Sequence, residues 1–153
     1  MRALMVAGDR SGSGKTSISL AIAALLSQKM TVQTFKVGMD YIDPSYLTGV
    51  TGRPCRNLDT FVMAREDLAA IFAHGMQGAD LGLVEGVRGL YEGAESLDDT
   101  GSSAAIAKLL GVPVVLVVSA RSITRSAAAI VKGFQSFDPQ IDIRGIILNN
   151  VSG

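Results

Sequence analysis

The sequence predicts an α/β fold: a parallel sheet flanked by helices on both faces. Three observations predict it. Strand-like and helix-like runs alternate along the chain, several strand runs are apolar throughout, as strands covered on both sides must be, and 17 glycines punctuate the junctions. Ala3 to Ala7 reads as a short buried strand, and Gly8 to Gly14 as a glycine-serine loop. From Lys15 to Lys29 the residues Ile18, Ala21, Ile22, Leu25 and Leu26 recur at helical spacing. Thr31 to Val37 alternates and is rich in β-branched residues, so it is a second strand and closes a βαβ unit. Gly38 to Thr60 reads as a long irregular segment, and a loop of that length in a compact domain is usually functional. Arg65 to Gln77 is helical, with Leu68, Ile71 and Phe72 on one face. Ala79 to Glu85 is a third strand, Val87 to Gly101 a second irregular stretch, and Ser102 to Leu110 a helix closed by Gly111. Val112 to Val118 is a fourth strand, Ile123 to Phe134 a helix and Ile143 to Asn149 a fifth strand. In such folds the loop after a strand carries ligand contacts. A sequence that stops at Gly153, just past a strand, is therefore expected to be part of a longer chain.

At 153 residues and 16.0 kDa the sequence is one domain, residues 1–153, long enough for a true core. Hydrophobic residues make up 48% and charged ones 18%, which excludes a disordered tail. Fourteen basic residues balance fourteen acidic ones, and zero net charge argues against a general nucleic-acid binder. One cysteine, Cys55, excludes a disulfide framework, and one histidine, His74, excludes a multi-histidine zinc site. The start lacks the apolar stretch of a secretory leader and no run is long enough to span a membrane, so a cytoplasmic location is expected.

The strongest local signal is Gly8-Asp9-Arg10-Ser11-Gly12-Ser13-Gly14-Lys15-Thr16-Ser17. It follows a strand and opens a helix, the context a P-loop requires. Gly12 and Gly14 permit the backbone turns that aim N–H groups inward, and those donors with the helix N-terminus cradle phosphate. Lys15 is positioned to reach the β and γ phosphates of ATP, and Thr16 to ligate Mg²⁺. The first glycine lies one place earlier than the standard spacing puts it, so the loop is a longer variant.

Acidic residues collect in the segments that follow the strands. Lys36, Asp40 and Asp43 come after the second strand, then Asp59; Glu85 ends the third strand, ahead of Glu92, Glu95, Asp98 and Asp99. Carboxylates beside ATP repel it unless a cation intervenes, so Thr16, Asp59 and Glu85 read as a Mg²⁺ shell. Asp43-Pro44 reads either as part of this chemistry or as a turn. Asp98 and Asp99 read as charges at a helix N-terminus, and His74 as a cation at a helix C-terminus.

The loop variant resembles the dethiobiotin-synthetase and cobyrinate-amidating branch of P-loop proteins. Longer motifs narrow this further. Lys36-Val37-Gly38-x-Asp40-Tyr41-Ile42-Asp43-Pro44, Thr51-Gly52-Arg53-Pro54-x-Arg56-Asn57-Leu58-Asp59 and Val84-Glu85-Gly86-Val87-x-Gly89-Leu90-Tyr91-Glu92-Gly93 are similar to the cobyrinic acid a,c-diamide synthase family. So are Gly111 to Val118, Ala127 to Phe134 and Gly145 to Asn149, so the likeness covers essentially the whole chain. It implies a P-loop NTPase fold like that of dethiobiotin synthetase. It implies ATP-dependent amidation of the a and c carboxylates of cobyrinic acid through an acyl phosphate. Gly12, Ser13, Gly14, Lys15, Thr16 and Ser17 would hold phosphates, with Asn149 at the adenine edge. Asp40, Asp43 and Glu92 would border the reacting carboxylate, and Lys15 and Lys36 would neutralise charge on the transferring phosphoryl group.

The chain departs from the family pattern at four places: Glu92 and Ser119 stand where aspartate is usual, Met39 where proline is common, and Arg10 at a position usually small and neutral. The family's glutaminase domain, with its Cys-His-acid triad, has no counterpart, because Cys55 belongs to a substrate-loop motif and His74 to a surface-like helix. Ammonia is then expected from a glutaminase domain outside these residues, from a partner, or free from solution. The expected partners are a tetrapyrrole and a second copy of the chain, with no nucleic acid and no membrane. Three other readings compete: a nickel-sirohydrochlorin a,c-diamide synthase; a switch ATPase of the partition or division-site type, in which Arg10 takes the place of a lysine that reaches phosphate across a dimer; and a dethiobiotin synthetase, which gives no reason for Asp40-Tyr41-Ile42-Asp43-Pro44.

Overall fold

A computed structural model describes residues 2–151. The last two positions of the C-terminal segment singled out above, Ser152 and Gly153, lie outside the described residues. The strands are β1 (Ala3–Gly8), β2 (Val32–Val37), β3 (Arg56–Leu58), β4 (Leu81–Glu85), β5 (Val114–Ser119) and β6 (Ile143–Asn149). The helices are α1 (Lys15–Ser27), α2 (Asp43–Thr51), α3 (Arg65–Gly75), α4 (Ser103–Leu110) and α5 (Ser126–Phe137). The sheet runs β3-β2-β4-β1-β5-β6 and every pairing is parallel. The expected doubly covered α/β fold is present.

Strand parity divides the core in two. Successive side chains along a strand face opposite sides of the sheet. Val6, Val32, Leu83 and Val117 face one way and pack with Ala23 of α1 and Leu47 of α2. Met5, Phe35, Val84 and Leu116 face the other, against α3, α4 and α5 through Leu68, Phe72, Ile106 and Phe134. Phe35 and Phe72 meet with ring centroids 4.8 Å apart, a favourable tilted pair. Because the strands are parallel, their C-terminal ends share one edge, and β1 lies there between β4 and β5. The chain leaves β1 toward β2 and β3 and later crosses to β5 and β6, so a crevice opens beside β1.

The structure corrects one expectation of the sequence. Residues 38–60 are not an irregular loop but contain α2 and β3. Helical periodicity is weak there because Thr48, Gly49, Val50 and Thr51 are poor helix formers. A local cap and the burial of one leucine compensate. Asp40 Oδ1 accepts from the N–H groups of Ile42 (2.8 Å) and Asp43 (3.2 Å), Pro44 sits in the first turn, and Leu47 is buried against α1's side of the sheet. A second, smaller correction concerns Asp98 and Asp99. The cap of α4 is Ser102, whose hydroxyl accepts from Ala105 N, while Asp98 accepts from Thr100 N and Asp99 pairs with Lys108 at 2.6 Å.

Leu47 separates the two accounts of this segment. As a core residue its replacement in Leu47→Ala is expected to cost about 2–5 kcal/mol of unfolding free energy in urea titrations, whereas a loop leucine exposed to solvent costs close to nothing.

Candidate functional site

The loop after β1 wraps the start of α1. Gly12 and Gly14 have φ of 75° and 98°, conformations that glycine adopts without strain. Gly14 is the residue ahead of α1 and offers no capping side chain, so the first N–H groups of the helix are left for a ligand. A Cβ on Gly14 would also collide with the Asn149 amide. That amide donates to the Ser13 carbonyl at 2.8 Å, pinning the loop to the end of β6. Asn149, expected at the adenine edge, therefore spends at least one N–H on holding the phosphate loop. Lys15 is buried and curls back so that Nζ lies 3.4 Å from the Arg10 carbonyl. Burial pushes its pKa down, and the neighbouring Lys36 ammonium lowers it further. Arg10 is committed to the adjacent Asp9 (Nη2 to Oδ2, 2.9 Å), whose other oxygen accepts from Ser119 N at 3.3 Å.

The chemical centre follows from strand register. Lys36 and Glu85 are partners across β2 and β4, at the C-terminal ends of both strands. By parity they share the face of Val32 and Leu83, the side on which α1 begins. Lys36 Nζ accordingly lies 2.8 Å from Glu85 Oε1, and also 2.6 Å from Asp43 Oδ2 at the start of α2 and 3.7 Å from Asp40 Oδ2. Thr16, one residue into α1, donates to Glu85 Oε1 at 2.7 Å and lies 3.2 Å from Asp43 Oδ2. Burial alone would lower the pKa of Lys36, but Glu85 and Asp43 outweigh it and hold the ammonium above its ordinary value. Burial pushes Asp43 up, and Lys36 more than reverses this, so its carboxyl stays below the usual range. Glu85 is fully buried, and burial raises it despite Lys36.

Glu85 Oε2 is sealed from solvent and has no hydrogen-bond partner among the described residues, nor has the buried Ser13 hydroxyl in the phosphate loop. An orphaned carboxylate oxygen next to a threonine hydroxyl at the head of a P-loop helix suits a hard divalent cation, and Mg²⁺ fits these residues. Among the described residues no group of three or more His, Cys, Asp or Glu side chains is arranged to hold a metal alone. Phosphate oxygens and water would therefore supply much of the coordination, as is usual for Mg²⁺.

The other expected residues divide. Asp43 joins Thr16 and Glu85, while among the described residues no hydrogen bond or ion pair connects Asp59 to that group. Asp59 Oδ1 accepts from Phe61 N at 2.8 Å, and the residue lines a neighbouring cavity of about 200 Å³ with Gly38, Val87, Arg88 and Glu92. Glu92 lines that cavity, its Oε2 accepting from Gly89 N at 3.1 Å. Asp40 acts first as the cap of α2. One residue was overlooked by sequence reasoning. Asn57 on β3 donates both amide hydrogens, to the carbonyls of Gly38 and Asp40, each at 2.7 Å. It fixes the turn that presents Asp40 and Asp43, and its place inside the Arg56-Asn57-Leu58-Asp59 motif was the available signal.

The family described as the CobQ/CobB/MinD/ParA nucleotide binding domain matches residues 4–153. Among curated proteins, a cobyrinate a,c-diamide synthase of Methanosarcina acetivorans is 54% identical over 98% of this chain and 31% of its own length. One from Methanococcus maripaludis is 48% identical over all of this chain and 34% of its own. The chain thus spans about a third of the length of the curated relatives it matches. A solved structure, that of chloroplast FtsY from Physcomitrella patens, superposes with a TM-score of 0.61 at 18% identity, over 96% of this chain and 49% of that one. At that identity it speaks for the fold alone.

Cys55 lies outside this chemistry. Burial pushes its thiol from 9.0 up to about 11. Thiolate is the reactive form, so alkylation of Cys55 at pH 8 is expected to run about 100-fold slower than that of a thiol at the unshifted value, and to climb until the pH nears 11. Iodoacetamide labelling followed by mass spectrometry across pH 7–10 checks this.

Proposed function

This chain belongs to the CobQ/CobB/MinD/ParA nucleotide binding domain family, and on that premise we propose that it is the ATP-binding part of an amidoligase acting on the a and c side-chain carboxylates of cobyrinic acid. The observation that carries the reading is the convergence of Lys15, Thr16, Lys36, Asp43 and Glu85 on one crevice beside the phosphate loop. The names of the relatives point to the substrate.

In this reading the first helical turn and the backbone N–H groups of residues 12–17 bind the ATP phosphates. Thr16 and Glu85, with Asp43 beside them, hold Mg²⁺, which neutralises phosphate charge when bound. A substrate carboxylate oxygen attacks the γ-phosphorus, the bond to the β-bridging oxygen breaks, and ADP leaves. Lys15 and Lys36 place positive charge where it develops on the transferring group. Ammonia then attacks the acyl carbon, phosphate departs with the C–O bond, and a proton is lost from nitrogen. Asp40 and Glu92 border the acceptor, Asp40 on the turn held by Asn57 and Glu92 in the cavity shared with Asp59. Ammonia comes from glutamine hydrolysed by a glutaminase region outside these residues. No described helix is long and apolar enough to cross a membrane.

The test is ADP release from Mg·ATP with ammonium as the nitrogen source, run with cobyrinic acid and, in parallel, nickel sirohydrochlorin. ADP is expected with cobyrinic acid only, together with a product whose mass falls by the difference between OH and NH₂ at each amidated carboxylate. ADP formation indifferent to any tetrapyrrole would favour a switch ATPase instead. Lys15→Ala is expected to lower kcat/KM by about 100-fold or more, in the range for losing a group that stabilises transition-state charge.

A further inference from the structure

The cavity beside Asp59 and Glu92 contains a cation without a carboxylate partner. Among the described residues that line this space of about 200 Å³, Arg88 is the only basic one. It is exposed and donates through Nη1 to the Gly93 carbonyl at 3.2 Å. Elsewhere in the chain Arg10 and Arg144 each pair with a nearby aspartate, at 2.9 and 2.7 Å. Glu92 lines the same cavity as Arg88, yet its carboxylate takes the Gly89 N–H instead. A guanidinium carries several N–H donors in a rigid fork, so most of this one is left for a ligand.

The backbone supplies a second, independent observation. Arg88 has a φ of 46°, in the left-handed region, where an arginine is strained and a glycine is not. Gly86 and Gly89 stand close by, but position 88 is not glycine. The turn is gripped on both sides. The Ser103 hydroxyl accepts from the Val87 N–H at 2.8 Å and donates to the Val87 carbonyl at 3.1 Å, and Leu90 N donates to the Gly8 carbonyl at 2.8 Å. Strain held in place by its surroundings clusters at sites that bind or react.

We propose that Arg88 binds a carboxylate of the acceptor other than the one being phosphorylated, and so selects a polyanionic acceptor. The inference rests on the amidoligase reading above and adds to it the residue that recognises the acceptor's charge.

Charge accounting supports it. A substrate amidated on two side chains presents a further carboxylate whenever one of them is at the phosphoryl group. Asp59 and Glu92 repel such a polyanion, and in that reading Lys15 and Lys36 serve the phosphates. Arg88 is the cation left over in the cavity. Its planar fork suits two-point contact with a carboxylate, which a lysine would meet only as a point charge. Met39 and Phe61, both exposed, line the same cavity and offer apolar surface to the ring that carries the carboxylates.

Cobyrinic acid, followed by its visible absorbance, is the probe for equilibrium dialysis against the 153-residue chain with Mg·ADP. Its fully methylated ester, which carries no carboxylate, is the comparison. Arg88→Gly removes the guanidinium and relieves the left-handed backbone. It is expected to bind the acid at least about fivefold more weakly than the wild type and the ester equally well, with ADP affinity unchanged and a melting temperature no lower. Arg88→Gln keeps the strained backbone without the charge and is expected to show the same loss toward the acid alone. Should Arg88→Gly fail to fold, Arg88→Gln decides. Unchanged affinity for the acid in the variants overturns the assignment, and so does an equal loss toward acid and ester. A wild type that binds ADP but not cobyrinic acid fells the amidoligase reading itself, and the assignment with it.

Discussion

The lateral pairing of β2 with β4 fixes the chemistry of this protein. It sets Lys36 beside Glu85 at the ends of two adjacent parallel strands. A shift of one residue in either strand would turn one side chain to the opposite face and leave a buried charge with no partner. The hydrophobic alternation of Phe35, Val37 and Val84 on one face and Val32 and Leu83 on the other holds that register. Core packing and site geometry are thus one constraint. The residues that make the sheet cohere also bring an ammonium and a carboxylate together at its working edge.

Two short elements complete the edge. α2 supplies Asp43, and its start depends on Asp40 as a cap and on Asn57 as a brace across to β3. The loop after β1 supplies Lys15 and Thr16, and Asn149 ties it to β6. Each catalytic candidate is therefore held by a neighbour from a different part of the chain. Pre-organisation of this kind is what phosphoryl-transfer chemistry needs, since positioning and electrostatics do most of its work.

The unusual residues of the phosphate loop have a local structural account. Arg10 is neutralised by Asp9 next to it, and Asp9 in turn receives the N–H of Ser119 at the end of β5. Ser119 makes this contact through its backbone, while its hydroxyl accepts from Asn150 Nδ2 at 3.1 Å.

The sequence by itself determined the alternation of strands and helices, the doubly covered parallel sheet, the phosphate loop with Lys15 and Thr16, and the acidic residue ending β4. These are legible because they rest on local patterns: periodicity, strand parity and glycine spacing. Only the tertiary structure decided that residues 38–60 carry α2 and β3, that Asp43 meets Thr16 and Glu85, and that Asn57 and Asn149 act as braces. Those outcomes depend on contacts between residues far apart in the chain. A short helix of poor helix formers is stabilised by its cap and by burial of Leu47, and carboxylates scattered along the sequence meet, or fail to meet, according to which strand ends lie side by side.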